Sequence, residues 1–131
     1  RLFLTYSASA TDARYCMGML SADAGADLLD AASWTKSPVP VLATDEAAGV
    51  FGPGHNSFTT DAAGRPVIVY HARDYREIKG NPLFDPNRHA RAEYVRFDAA
   101  GVPRFMPPAP DRPVRGQGGE PEPAAAVLNF R

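Results

Sequence analysis

The sequence predicts an all-β fold built from propeller-like blades, and three observations point there. Short apolar, β-branched and aromatic runs recur along the chain, each closed by a cluster of turn residues. The runs fall into groups of about four, the number of strands in a propeller blade. Prolines sit where each group reaches an outer edge, and proline is tolerated on edge strands. A sandwich fits the strand spacing nearly as well, and the two groups show no visible repeat.

"RLFLTYSAS" opens the chain as a half-buried strand, "ATDAR" is a polar turn, and "YCMGML" completes a hairpin. "SADAGADLLDAASW" reads as a loop because of Gly25 and its three aspartates. "WTKSPVPVL" (34–42) reads as an edge strand, since Pro38 and Pro40 exclude a central one. "GVFGPGHNSFTTD" is extended behind its glycine-rich entry. "DAAGRP" turns, with Gly64 supplying positive φ. "VIVYHAR" (67–73) is the strongest strand signal. "DYREIKGNPLFDPNR" (74–88) is a long polar and aromatic loop of the kind that often carries function. "HARAEYVRFD" reads as one alternating strand, and "RFMPP" as a short closing edge. From Pro107 onward the chain is rich in Pro, Gly and charge, so the expected division is a domain over 1–106 and a disordered tail over 107–131.

The totals narrow the class of function. The chain has 131 residues, the size of one domain, with 44% apolar residues and a formal charge of −1. Near-neutrality gives no basic footprint for nucleic acid and no polybasic attraction to anionic membranes. No run reaches the ~20 apolar residues of a membrane-spanning helix. The single cysteine, Cys16, lies in an apolar run and reads as a small core residue. The chain opens directly on a strand without an initiator methionine, so a longer parent is expected, with any targeting segment upstream.

Few residues invite chemistry. Gly52 and Gly54 let the backbone pass close to a neighbour. If 55–59 is extended, His55, Ser57 and Thr59 share one face, with Asn56 and Phe58 on the other. A neutral His55 there suits a metal or a sugar hydroxyl; the alternative is a satisfied core histidine. Ser57 lacks the strand-to-helix elbow of a hydrolase nucleophile. His55, His71 and His89 are spaced like no compact zinc motif. Most aspartates lie in turns; Asp74, Glu77 and Asp85 belong to the long loop, where a role toward substrate is open. Arg73, Arg88 and Arg91 could donate to a sugar or a carboxylate, although an anchoring pair with Asp74 or Asp85 is the stronger expectation for them.

"FLTYSASATDARYCMGML", "SWTKSPVPV", "GVFGPGHNSFT", "VIVYHARDY" and "DPNRHAR", in this order, resemble the C-terminal half of glycoside hydrolase family 43. Among its members the α-L-arabinofuranosidases are the most similar. The resemblance covers about residues 1–106. It implies a five-bladed β-propeller, of which this chain is a partial propeller of about two blades. It implies inverting hydrolysis by an Asp base, a Glu acid and an orienting Asp, all upstream of Arg1. The chain alone is then catalytically incomplete, and its partners are an oligosaccharide or polysaccharide and the missing N-terminal blades. His55 matches the family histidine near a central cation, often calcium. Asn56, Ser57, His71 and Arg88 are the expected substrate-binding residues. The parent is expected to be extracellular. A non-catalytic carbohydrate-binding or interaction module, or a β-xylosidase or endo-arabinanase of the same family, remains the alternative.

Overall fold

The computed structural model describes residues 1–108. It is all-β, with no α-helix among the described residues. Strands β1 (Leu2–Ala8), β2 (Cys16–Ala22) and β3 (Thr35–Lys36) form one antiparallel sheet in chain order. Strands β4 (Phe51–Thr60), β5 (Pro66–Arg73) and β6 (His89–Tyr94) form a second. Strands β7 (Arg96–Phe97) and β8 (Pro103–Arg104) make a two-stranded extension. Two successive antiparallel meanders agree with a partial propeller, but each sheet has three strands rather than the expected four; the closing run at Pro103–Arg104 pairs with β7 and not with the second sheet. The tail expected from Pro107 lies, from residue 109 on, outside the described residues.

The core sits between the two sheets. Met17 from β2 meets Ile68, Tyr70 and Ala72 from β5, with Leu42, Val50 and Val95 closing around them. Side chains alternate along a strand, so Ile68, Tyr70 and Ala72 share the core face and Val69, His71 and Arg73 share the other. Thus β5 is covered on both faces, which is why its sequence reads as nearly continuous apolar residues. Cys16 is buried, and burial pushes its thiol up, which makes it an unreactive core residue as expected.

Several elements differ from their sequence reading. The strand expected over 34–42 is regular only at Thr35–Lys36. Beyond it the chain still follows β2, through Ser37 N–H to the Met19 carbonyl and Val41 N–H to the Met17 carbonyl. Pro38 and Pro40 have no N–H to donate, so the ladder breaks between these bonds. The strand expected over 89–98 divides at Val95. β6 pairs with β5 only as far back as Val67, opposite Tyr94, because β5 starts at Pro66. The next residues turn to β8 instead. The loop at 74–88 contains a 3-10 turn, Pro82–Phe84, capped by the Asn81 side chain on the Leu83 N–H.

β4 carries the largest departure. Its pairing with β5 shifts register between Phe51 and Gly54 and again between Gly54 and Ser57. Gly52 and His55 both have positive φ, 61° and 52°. These bulges break the simple alternation, so His55, Ser57 and Thr59 do not form the continuous face that an unbroken strand would give.

Candidate functional site

The site is assembled on the bulged part of β4. A Cβ on Gly52 would lie 2.6 Å from the Asp12 carbonyl oxygen, and one on Gly54 would lie 2.4 Å from the Tyr15 ring. The two glycines therefore let the β1–β2 turn nest against β4. Thr44 fastens the same junction, donating its hydroxyl to the Ala13 carbonyl and accepting the Gly52 N–H.

Gly54 is the cross-strand partner of His71. Because Gly54 has no side chain, Tyr15 reaches over it and stacks on His71, with ring centroids 5.7 Å apart and planes 11° from parallel. His55, turned by its positive φ, approaches His71 edge-on at 6.1 Å. His71 is thus held between Tyr15 and His55. Its Nδ1 and Nε2 are both buried, and neither has a hydrogen-bond partner in the structure. Burial pushes its pKa down to about 4, helped by the positive charges of Arg88, His55 and Arg73. His71 is therefore neutral above mildly acidic pH, with one ring nitrogen a donor and the other an acceptor.

His55 is exposed rather than a satisfied core histidine. Its backbone N–H donates to Ser7 Oγ at 2.8 Å, and Asn56 Nδ2 donates to Thr5 Oγ1 at 2.9 Å. Thr5 and Ser7 share one face of β1, so these two bonds join the first sheet to the second at the site. Ser57 is exposed and stands opposite Val69. Arg88 donates to the Leu83 carbonyl at 2.7 Å and makes its charge felt at His71. Of the expected site residues, the structure therefore groups His55, His71 and Arg88 and turns the Asn56 amide toward β1. His89 pairs with Ala72 at the start of β6.

Calcium takes six to eight oxygen ligands. His55 offers a ring nitrogen, and no group of three His, Cys, Asp or Glu gathers anywhere among the described residues.

Two positions along β5 from His71 lies a buried cation. The Arg73 side chain is 1% exposed and pairs with Asp85, Nε to Oδ1 at 3.3 Å. Its Nη1 and Nη2 donate to the carbonyls of Thr11 and Pro82, both at 3.0 Å. Asp85 also accepts the Tyr75 hydroxyl and the Asn87 N–H, and these bonds with Arg73 hold its carboxyl below the usual range. The anchoring pair anticipated for these arginines is thus Arg73 with Asp85.

Tyr15, Thr5 and Ser7 escape a reading of motifs. Tyr15 lies in a turn far from the histidines in sequence. The signal that could have found it is the glycine opposite His71, a vacancy that another segment has to fill.

The chain is similar to known proteins. A 131-residue chain aligned over 118 residues is 58% identical to an "Extracellular exo-alpha-(1->5)-L-arabinofuranosidase" of Streptomyces avermitilis, spanning 88% of this chain. It is 49% identical over 114 residues to "Alpha-L-arabinofuranosidase B" of Pyricularia oryzae, spanning 86% of this chain. In both cases it covers only 24% of the relative's length. The crystal structure of an α-L-arabinofuranosidase from Lactobacillus brevis superposes with a TM-score of 0.80 at 51% identity, over 82% of this chain and 34% of that one. The profile of glycosyl hydrolases family 43 matches residues 1–103. With sequence, topology and the family profile in agreement over nearly the whole described chain, this protein belongs to glycosyl hydrolases family 43.

Proposed function

We propose that this chain is the sugar-binding part of an extracellular, exo-acting α-L-arabinofuranosidase. In this reading the whole enzyme releases terminal α-L-arabinofuranosyl residues from arabinan- or arabinoxylan-type chains, with inversion. The observation that carries the reading is His71: both ring nitrogens are buried and unpartnered in the structure, beside the exposed His55 and within reach of the Arg88 charge. Buried polar atoms without partners are rare in folded proteins, and a sugar hydroxyl supplies the missing donor or acceptor once a side chain covering the ring moves aside. The similarity to enzymes named arabinofuranosidases supports the choice of sugar.

The roles follow from the chemistry. Neutral His71 fixes a hydroxyl through one nitrogen, which a covering side chain must first uncover. Arg88 donates to ring or hydroxyl oxygens beside it. His55 and Ser57 border the same exposed surface. The acid and base are supplied by carboxylates outside this chain. Four carboxylates here, those of Asp12, Asp61, Asp85 and Asp98, have pKa values shifted down by their hydrogen bonds, whereas a general acid requires a raised one. No catalytic step is assigned to a metal.

Hydrolysis of an aryl α-L-arabinofuranoside tests the reading, with this chain compared to the same chain extended upstream to natural length. Turnover by the extended protein alone is the expected result. Turnover by this chain alone overturns the placement of the carboxylates and moves attention to Asp74, Glu77 and Asp85.

A further inference from the structure

We infer that Arg73 is the positioning residue of this site: its one guanidinium locks the turn bearing Tyr15 and the loop bearing Arg88 onto the strand bearing His71. The inference rests on the reading of the site as a sugar site and deepens it.

The geometry is specific. Arg73 follows His71 by two positions on β5, so the two side chains leave the same face. Nη1 binds Thr11, 62 residues away in sequence, at the start of the turn that reaches Tyr15. Nη2 binds Pro82, and Nε pairs with Asp85, three positions before Arg88. The loop is braced again where Asp85 takes the Tyr75 hydroxyl, and Asn87 Nδ2 donates to the same hydroxyl at 3.2 Å. Two of the neighbours that define the surroundings of His71 therefore sit on segments whose backbone ends at Arg73. A planar fork meets three acceptors in three directions at once, which the point charge of a lysine does not. Burial leaves this guanidinium no contact with substrate, so it acts through Tyr15 and Arg88.

The test uses the upstream-extended protein. Removing Arg73 alone leaves Asp85 buried without its counter-charge and threatens the fold. The informative variant is therefore the neutral double, Arg73→Met with Asp85→Asn, beside Arg73→Lys. Hydrogen exchange of segments 9–15, 66–72 and 74–88 is read with KM and kcat for an aryl α-L-arabinofuranoside.

In the double variant, segments 9–15 and 74–88 gain exchange together while 66–72 keeps its protection. KM rises on the order of tenfold, the scale expected when binding groups lose their placement. Arg73→Lys does not restore either readout. Unchanged exchange at 9–15, full rescue by lysine, or loosened loops with KM within about twofold of the parent each overturn the inference. Should the unmodified extended protein lack arabinofuranosidase activity, the functional reading fails separately. Exchange then decides alone: joint loosening supports the locking role and independent loosening overturns it.

Discussion

The Tyr15 ring lies parallel to the His71 ring at 5.7 Å, in the space left by the missing side chain of Gly54. The contact ties a turn of the first blade to the central strand of the second. It also explains the Gly-Pro-Gly entry, since each glycine faces a part of the turn that allows no Cβ.

This packing predicts an order of damage. Gly54→Ala meets a ring that can swing aside, at the cost of the stack, and should destabilise by about 1–3 kcal/mol. Gly52→Ala meets a backbone carbonyl and also places alanine at φ 61°, so it should cost more. Chemical denaturation of the two variants checks the order; equal costs would show that the turn relaxes freely.

Acidification should weaken the fold in two separate windows. His71 titrates at about 4 in the folded chain against an ordinary 6.5, so the unfolded state binds its proton first. Stability is then full above pH 6.5 and falls as pH drops toward 4. At about 1.4 kcal/mol per pKa unit, and with half-burial letting solvent screen much of it, the loss is ~1–2 kcal/mol. His71→Gln should flatten this slope in denaturation curves taken between pH 7 and 4. The depressed aspartates act lower: their contribution is present above their ordinary 3.8 and is lost as pH falls beneath it.

The bond between Asn56 and Thr5 should couple the two sheets. A double-mutant cycle with Thr5→Val and Asn56→Ala is expected to give a coupling of about 0.5–1.5 kcal/mol, the net value of one hydrogen bond. Strict additivity of the two single variants would show that the bond does not form in solution.

Arg88→Ala in the upstream-extended protein should lower kcat/KM for an aryl α-L-arabinofuranoside by about 10- to 100-fold while leaving the thermal midpoint nearly unchanged. Steady-state kinetics beside a melting curve separates the two effects.

Much of this was legible in the sequence. The strands of both sheets announced themselves through apolar runs bounded by turn residues, because each run fills one layer of a blade. The prolines at 38 and 40 marked an outer edge, although they broke its ladder sooner than their spacing implied. An anchoring pair between one of Arg73, Arg88 and Arg91 and a loop acid was legible, and the structure makes it Arg73 with Asp85. The bulges of β4 were hidden. Pairing register is a property of two strands together, and nothing local to "GHNSF" announces the turn at His55. The stack of Tyr15 was hidden for the same reason, being a long-range contact made through an absence.

The Arg73–Asp85 clamp has a consequence for how this surface can diversify. Arg76 is tied to Glu46, and the chain is fixed again from the Asn81 cap onward. Between these points Glu77, Ile78, Lys79 and Gly80 form a short span, with Gly80 at φ 84°. Insertions and deletions are absorbed best where both flanks are independently secured. That span can therefore change length while the Arg73–Asp85 pair and the segments it joins keep their geometry.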